Sequence, residues 1–171
     1  MRVVVYPDPI LRRGGKRVTR FDQELADTAA QMFAAMYEEG GVGLAAPQVA
    51  LELKLLVLNP KGDASDKTGE LVLVNPVITS RKGWAFGEEG CLSFPDIHAE
   101  VERSVKISLT YQDLAGQERT LQAEDWLARI IQHEMDHLDG VLFTDRLTPA
   151  DKLRVRPKLA ELEQRFARAT S

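Results

Sequence analysis

The segment EDWLARIIQHEMDHL, Glu124 to Leu138, sets the strongest limit on what this chain can fold into. Ile130, Ile131, Met135 and Leu138 surround a His133-Glu134-x-x-His137 pattern, so the periodicity predicts a buried helix from about Glu124 to Leu138, stopped by Gly140. Such a helix turns about 100° per residue, which places His133 and His137 on one face. Two imidazoles there can hold one metal ion, with Glu134 beside them to handle the protons of an activated water. Buried histidines and a buried glutamate need partners, and a cation supplies one. The remaining chain must therefore wrap around a helix whose centre is polar.

The flanking elements fit that requirement. With 171 residues, 44% hydrophobic and 28% charged, the chain is read as one soluble globular domain spanning residues 1–171. A short strand is expected at Val3 to Val5, then a turn at YPDP. Asp22 caps a helix that carries Leu25, Ala29, Met32, Phe33, Met36 and Tyr37, ending at Gly40 or Gly41. Strands are expected at Leu53 to Asn59 and Leu71 to Asn75, each followed by proline, and a longer one at Val101 to Tyr111. Asp113 to Gly116 turns the last of these back toward Arg119 to Gln122. The tail is expected to resume as helix at Pro157. The fold class is α+β: mostly antiparallel strands around a central metal-binding helix, with an N-terminal and a C-terminal helix.

Charge and composition narrow the partners. A net charge of −4 gives no basic footprint for nucleic acid, and no apolar run is long enough to cross a membrane. The N-terminus, MRVVVYPDPI, reads as neither signal nor transit peptide, so the expected location is the cytoplasm, a trimmed organellar form being equally compatible.

Two histidines leave a catalytic metal site short of a third protein ligand. No histidine follows His137, Asp139 and Asp145 are conceivable donors, and His98 is poorly placed. The single cysteine, Cys91 in GEEGCLSFP, is favoured as a thiolate ligand because no other thiol exists. Three ligands with an open position imply catalysis. A second segment, GVGLAAPQ from Gly41 to Gln48, reads G-x-G-x-x-A. A dinucleotide fingerprint follows a strand and opens a helix. This one follows a helix and runs into Pro47, so the nucleotide reading fails.

GVGLAAPQ, EEGCLS and QHEMDH, in this order, resemble the three motifs of the peptide deformylases, and the likeness extends from YPDPIL to the C-terminal helix. FPDIHAEV and ARIIQHE are similar to the subgroup shared by many bacteria and plant organelles. The resemblance implies a metal-dependent hydrolase that removes the N-formyl group from N-formylmethionyl nascent peptides at the ribosome, as a cytoplasmic monomer. It implies Cys91, His133 and His137 as metal ligands and Glu134 as general base and acid. Gln48 and the backbone N–H of Leu92 would stabilise the oxyanion, and Val42, Gly43 and Gly90 would hold substrate. Cys-His-His ligation suits Zn(II), Fe(II), Co(II) or Ni(II) alike; the resemblance implies Fe(II) in the cell.

Helical spacing adds Trp126, Arg129 and Ile130, which share the face of His133 and are expected to border the groove for the first side chain. The competing reading makes Trp126 and Ile130 core. Arg129 is expected to lay its stem along the pocket and keep its charge in water. His98 is expected at the surface or groove rim, and Glu88 and Glu89 either orient a ligand or pair locally. A zinc endopeptidase would need a third ligand downstream of His137, and a passive formyl-peptide binder or structural metal site would not need Glu134 or Gln48.

Overall fold

The computed structural model describes all residues from 1 to 171. Its helices are α1 (Gln23–Glu38), α2 (Asp125–Leu138) and α3 (Pro149–Thr170). Its strands are β1 (Gly43–Ala45), β2 (Leu55–Leu58), β3 (Leu71–Lys82), β4 (Ala85–Cys91), β5 (Phe94–Arg103), β6 (Lys106–Gln112) and β7 (Glu118–Glu124). Five strands form one antiparallel sheet in the order β1-β2-β3-β6-β7, and β4 and β5 pair separately as a hairpin.

Strand alternation explains the layers. Leu55 and Val57 of β2 join Met32 and Met36 of α1 in one core, whereas Leu56 and Leu58 join Ala128, Ile131 and Leu138 of α2 in another. A third core sets Phe94, Ile97, Ala99 and Val101 of β5 against Val155 and Leu162 of α3. The hairpin also meets α2 through the pairs Arg103–Asp136 and Glu89–Arg129, so α2 lies between the sheet and the hairpin. This central position follows from the sequence expectation, and the α+β class stands.

Local signals acted as expected at several ends. The Asp22 side chain accepts from Leu25 N–H at the start of α1, and Gly40 leaves that helix at φ 71. At α3, where the sequence reading named no cap, the Thr148 side chain accepts from Asp151 N–H and Pro149 lies in the first turn.

Four expectations need correction. Val3 to Val5 is not a ladder strand; Val4 N–H donates to Gln48 and Tyr6 N–H to Ser93, so this extended segment tethers two turns. β3 does not stop at Asn75 but passes Pro76, where the register with β6 shifts and no ladder donor is required. The tail helix begins at Pro149 rather than Pro157. Pro157 is exposed, and so is Leu153, whose carbonyl loses its helical partner on the wet side. The single strand expected over Val101 to Tyr111 is two strands in different sheets. Gln132 of α2 causes the break locally: its oxygen accepts from Ser104 N–H at 2.9 Å and its nitrogen donates to Ser104 O at 2.9 Å. The side chain replaces the ladder partners that a continuous strand would have supplied.

Replacing Gln132 with Leu should therefore lower stability by about 2 kcal/mol, because both backbone groups of Ser104 lose their partner. Urea unfolding of the two proteins reads this directly; a change within 0.5 kcal/mol, as at an ordinary surface site, would show that water replaces the amide at no cost.

Candidate metal centre and active site

The hairpin and the central helix each supply part of one cluster. Cys91 ends β4, and His133 and His137 occupy one face of α2, as the i, i+4 spacing requires. Their donor atoms lie within 4.8 Å of one another. Cys91 Sγ is 3.4 Å from His137 Nε2, and the two imidazole rings are 5.3 Å apart. Asp139 and Asp145 stand outside this cluster, and Asp145 is engaged by Arg12, so the structure brings the two histidines together with Cys91.

Glu89, left open between two roles by the sequence, both pairs with arginines and hydrogen-bonds the candidate ligand His133. It lies two residues before Cys91 on β4 and is 6% exposed. Its Oε1 is 2.8 Å from His133 Nδ1, and Arg103 grips both of its oxygens at 2.9 Å. Burial alone would raise its pKa, yet hydrogen bonds from His133 and Arg103 hold it down at about 2. An ionised carboxylate only accepts, so His133 Nδ1 carries a proton toward Glu89, and Nε2 is the nitrogen left to face the cluster. Arg103 continues to Asp136 at 2.6 Å, and Asp136 meets Arg146 at 2.6 Å near the surface. Sequence reasoning passed over Arg103 and Asp136. The alternation His98, Glu100, Glu102 against Ile97, Ala99, Val101 marks Arg103 as inward-facing.

The buried polar atoms fit a bound ion. Burial disfavours a charged His133, but hydrogen bonds to Cys91 and Glu89 carry its pKa well above the ordinary imidazole value. Burial, then the neighbouring His133, drives His137 well below it. Cys91 and Glu89 thus favour positive charge at His133, while His137 stays neutral, the form in which an imidazole can ligate a cation. His137 Nδ1 and Glu134 Oε2 are the buried side-chain atoms without a hydrogen-bond partner. Burial pushes the Glu134 carboxyl up to about 7, a value suited to moving protons near neutrality.

Gln48 approaches from the segment after β1. Its oxygen accepts from Ala45 N–H at 2.9 Å, which leaves its amide N–H groups to donate to Ser93 Oγ at 3.2 Å and toward Cys91 Sγ at 3.5 Å. At Gly43 an added Cβ would meet Glu134 Oε1 at 2.8 Å, so glycine lets β1 lie against the carboxylate.

A cleft of about 560 Å³ opens over this cluster, lined in part by Val42, Gly43, Gly90, Leu92, Trp126 and His98 together with Cys91, His133 and Glu134. His98 sits at its exposed edge, as expected. A recess of about 50 Å³ adjoins it, bordered by Val42, Gly90, Trp126, Arg129 and Ile130. Ile130 is 3% exposed and belongs to the core behind α2, whereas Trp126 is 48% exposed and donates to Pro60 O. The expectation for Arg129 is corrected: its guanidinium is not in water but bonded to Glu89 and to backbone carbonyls of the hairpin.

A Cys-His-His donor set beside a buried carboxylate and open to a cleft makes a candidate catalytic metal site. A family model described as polypeptide deformylase matches residues 1–153. The chain is 44% identical, over 99% of its length, to peptide deformylase 1B, chloroplastic/mitochondrial, of Arabidopsis thaliana, and spans 62% of that relative. It thus covers less than two thirds of the plant relative's length. It is 40% identical to the peptide deformylase of Thermotoga maritima, covering 98% of this chain and 99% of that one. The crystal structure of peptide deformylase from Plasmodium falciparum superposes with a TM-score of 0.96 at 41% identity, covering 99% of each chain. The chain belongs to the polypeptide deformylase family. Its relatives include bacterial and organellar proteins, and no helix is long and apolar enough to cross a membrane.

Removing the buried Arg103 charge tests the ion-pair chain. Arg103→Leu leaves Glu89 and Asp136 buried with fewer cations and should cost about 3 kcal/mol. Chemical denaturation of the variant against the parent measures it, and a loss below 1 kcal/mol would show that Arg129 and Arg146 compensate.

Proposed function

We propose that this chain hydrolyses the formamide of N-formylmethionyl peptides, releasing formate and a free amine. The observation that carries the reading is the convergence of Cys91, His133 and His137, with the unpartnered oxygen of Glu134 nearby and the amide of Gln48 donating toward Cys91 Sγ. The family membership supplies the substrate class.

Cys91, His133 and His137 would hold one divalent ion, Fe(II) in the cell and Zn(II), Ni(II) or Co(II) in purified protein. When bound, such an ion supplies Lewis acidity that acidifies water and polarises a carbonyl. Glu134 takes the proton of the attacking water and returns it to the amine nitrogen, since an amide nitrogen leaves badly unless protonated. The Gln48 amide and the Leu92 N–H donate to the oxygen on which negative charge develops. Gln48 is suited to this because Ala45 fixes which end of its amide is turned toward Cys91. Val42, Gly43 and Gly90 line the wall along which an extended peptide would lie. The recess between Trp126 and Ile130, with the stem of Arg129, takes the methionine side chain.

Residues 1–171 act in this reading as one catalytic domain and as a monomer on nascent chains at the ribosome. The bacterial cytoplasm is the proposed location. The 44% identity to an organellar plant relative favours a processed organellar form as the second reading.

Formate release from formyl-Met-Ala-Ser by anaerobically purified protein, with metal measured on the same sample, tests the function. Release should scale with bound metal. Glu134→Ala should cut turnover by about 10²- to 10⁴-fold while metal stays bound. Stoichiometric metal with no formate from short or long formyl peptides would overturn the reading. Gln48→Ala should remove about 3 kcal/mol of transition-state stabilisation, read as a fall in kcat/KM; an unchanged value would remove Gln48 from the reaction.

A further inference from the structure

The reaction uses only the stem of Arg129, which borders the side-chain recess, and gives its guanidinium no part. It lies four residues before His133 on the same face of α2, where the recess for a methionine side chain would favour an apolar residue. Its side chain is 12% exposed, so its charge is committed to the protein interior. Nη1 donates to Glu89 Oε2 at 2.8 Å and to Val101 O at 2.7 Å, and Nη2 donates to Ala85 O at 2.9 Å. One guanidinium therefore binds β4, β5 and the carboxylate that orients His133.

The hairpin is shaped to receive it. A Cβ at Gly87 would meet Arg129 Cζ and Nε at 2.8 Å and Nη2 at 2.9 Å, so the group lies flat against a strand position without a side chain. Gly87 is not among the glycines at positive φ, so what a side chain there would displace is the Arg129 guanidinium rather than the backbone. The planar fork of arginine suits three acceptors in different directions, which a lysine ammonium on a flexible stem does not reproduce.

We propose that Arg129 is a positioning residue of the metal centre: it pins the β4–β5 hairpin, and with it Cys91, against α2, and shares Glu89 with Arg103 so that His133 stays aimed at the ion. The helix and the strand each contribute a ligand and a clamp, His133 with Arg129 and Cys91 with Glu89. The proposal rests on Cys91, His133 and His137 forming the metal site and assumes nothing about the substrate.

The test compares the parent protein with Arg129→Met, Arg129→Lys, Gly87→Ala and the Gly87→Ala, Arg129→Met double variant, each loaded with Zn(II). The readout is the rate at which zinc passes to a chelating indicator, with KM and kcat for a formyl-Met peptide measured on fully loaded samples. Arg129→Met should lose zinc about tenfold faster, the lower end of the range for residues that orient ligands, because Arg103 keeps its hold on Glu89. Lysine should restore only part of the retention. Gly87→Ala should speed loss in the same direction, and the double variant should be no faster than Arg129→Met alone, since both changes break one contact. KM should stay unchanged in Gly87→Ala, because Gly87 borders neither the cleft nor the side-chain recess. Unaltered zinc loss in Arg129→Met with a raised KM would overturn the proposal and make Arg129 a wall of the side-chain recess. If Arg129→Met fails to fold, Gly87→Ala decides, and unaltered loss there overturns the proposal equally. Zinc transfer is read without substrate, so a parent protein that releases no formate would count against the deformylase reading alone.

Discussion

Glu89 holds three cationic or donor groups from two different elements, and much of the site depends on that buried carboxylate. His133 and Arg129 reach it from α2, and Arg103 reaches it from β5. A carboxylate this deeply buried is tolerable only because these groups satisfy both oxygens. The same bonds that offset the burial also settle which His133 nitrogen turns toward Glu89 and which is left to face the cluster. Structural necessity and ligand orientation are here one set of contacts, which continues outward through Asp136 to Arg146.

Much of this arrangement was legible in the sequence because it rests on strong, local signals. The buried helix with His133, Glu134 and His137 follows from apolar spacing, and Asp22, Gly40 and Gly140 mark helix ends through capping and positive φ. The lone cysteine and the histidine helix stand far apart in sequence and were joined by the need for a third donor, whereas only the likeness to a family brought the glycine segment to the same place. The structure brings Cys91 and both histidines together and turns Gln48 toward them.

What escaped the sequence reading was decided by tertiary partners. β4, AFGEEGC, has two glycines, two glutamates and little aliphatic character, so no periodicity marks it as a strand. It pairs with β5 and buries Glu89 against arginines that lie distant in the chain. The division between β5 and β6 depends on Gln132, which no local pattern at Ser104 reveals. Arg129 was assigned to solvent by the usual habit of long cationic side chains; its three acceptors come from a hairpin that the sequence did not disclose. Pro157 was read as a helix start because an internal proline is costly, but its exposed position limits that cost.

The separate pairing of β4 with β5 has a thermodynamic consequence. The hairpin that carries Cys91 shares no backbone ladder with the five-stranded sheet, and the metal donors come from this hairpin and from α2. An ion coordinated by both becomes a crosslink between two layers otherwise joined by side chains. Ligation by the folded chain and not by the unfolded one displaces the folding equilibrium by mass action. Resistance to heat then depends on free metal concentration, and a melting curve taken across a metal titration becomes a measure of how firmly the two layers are closed.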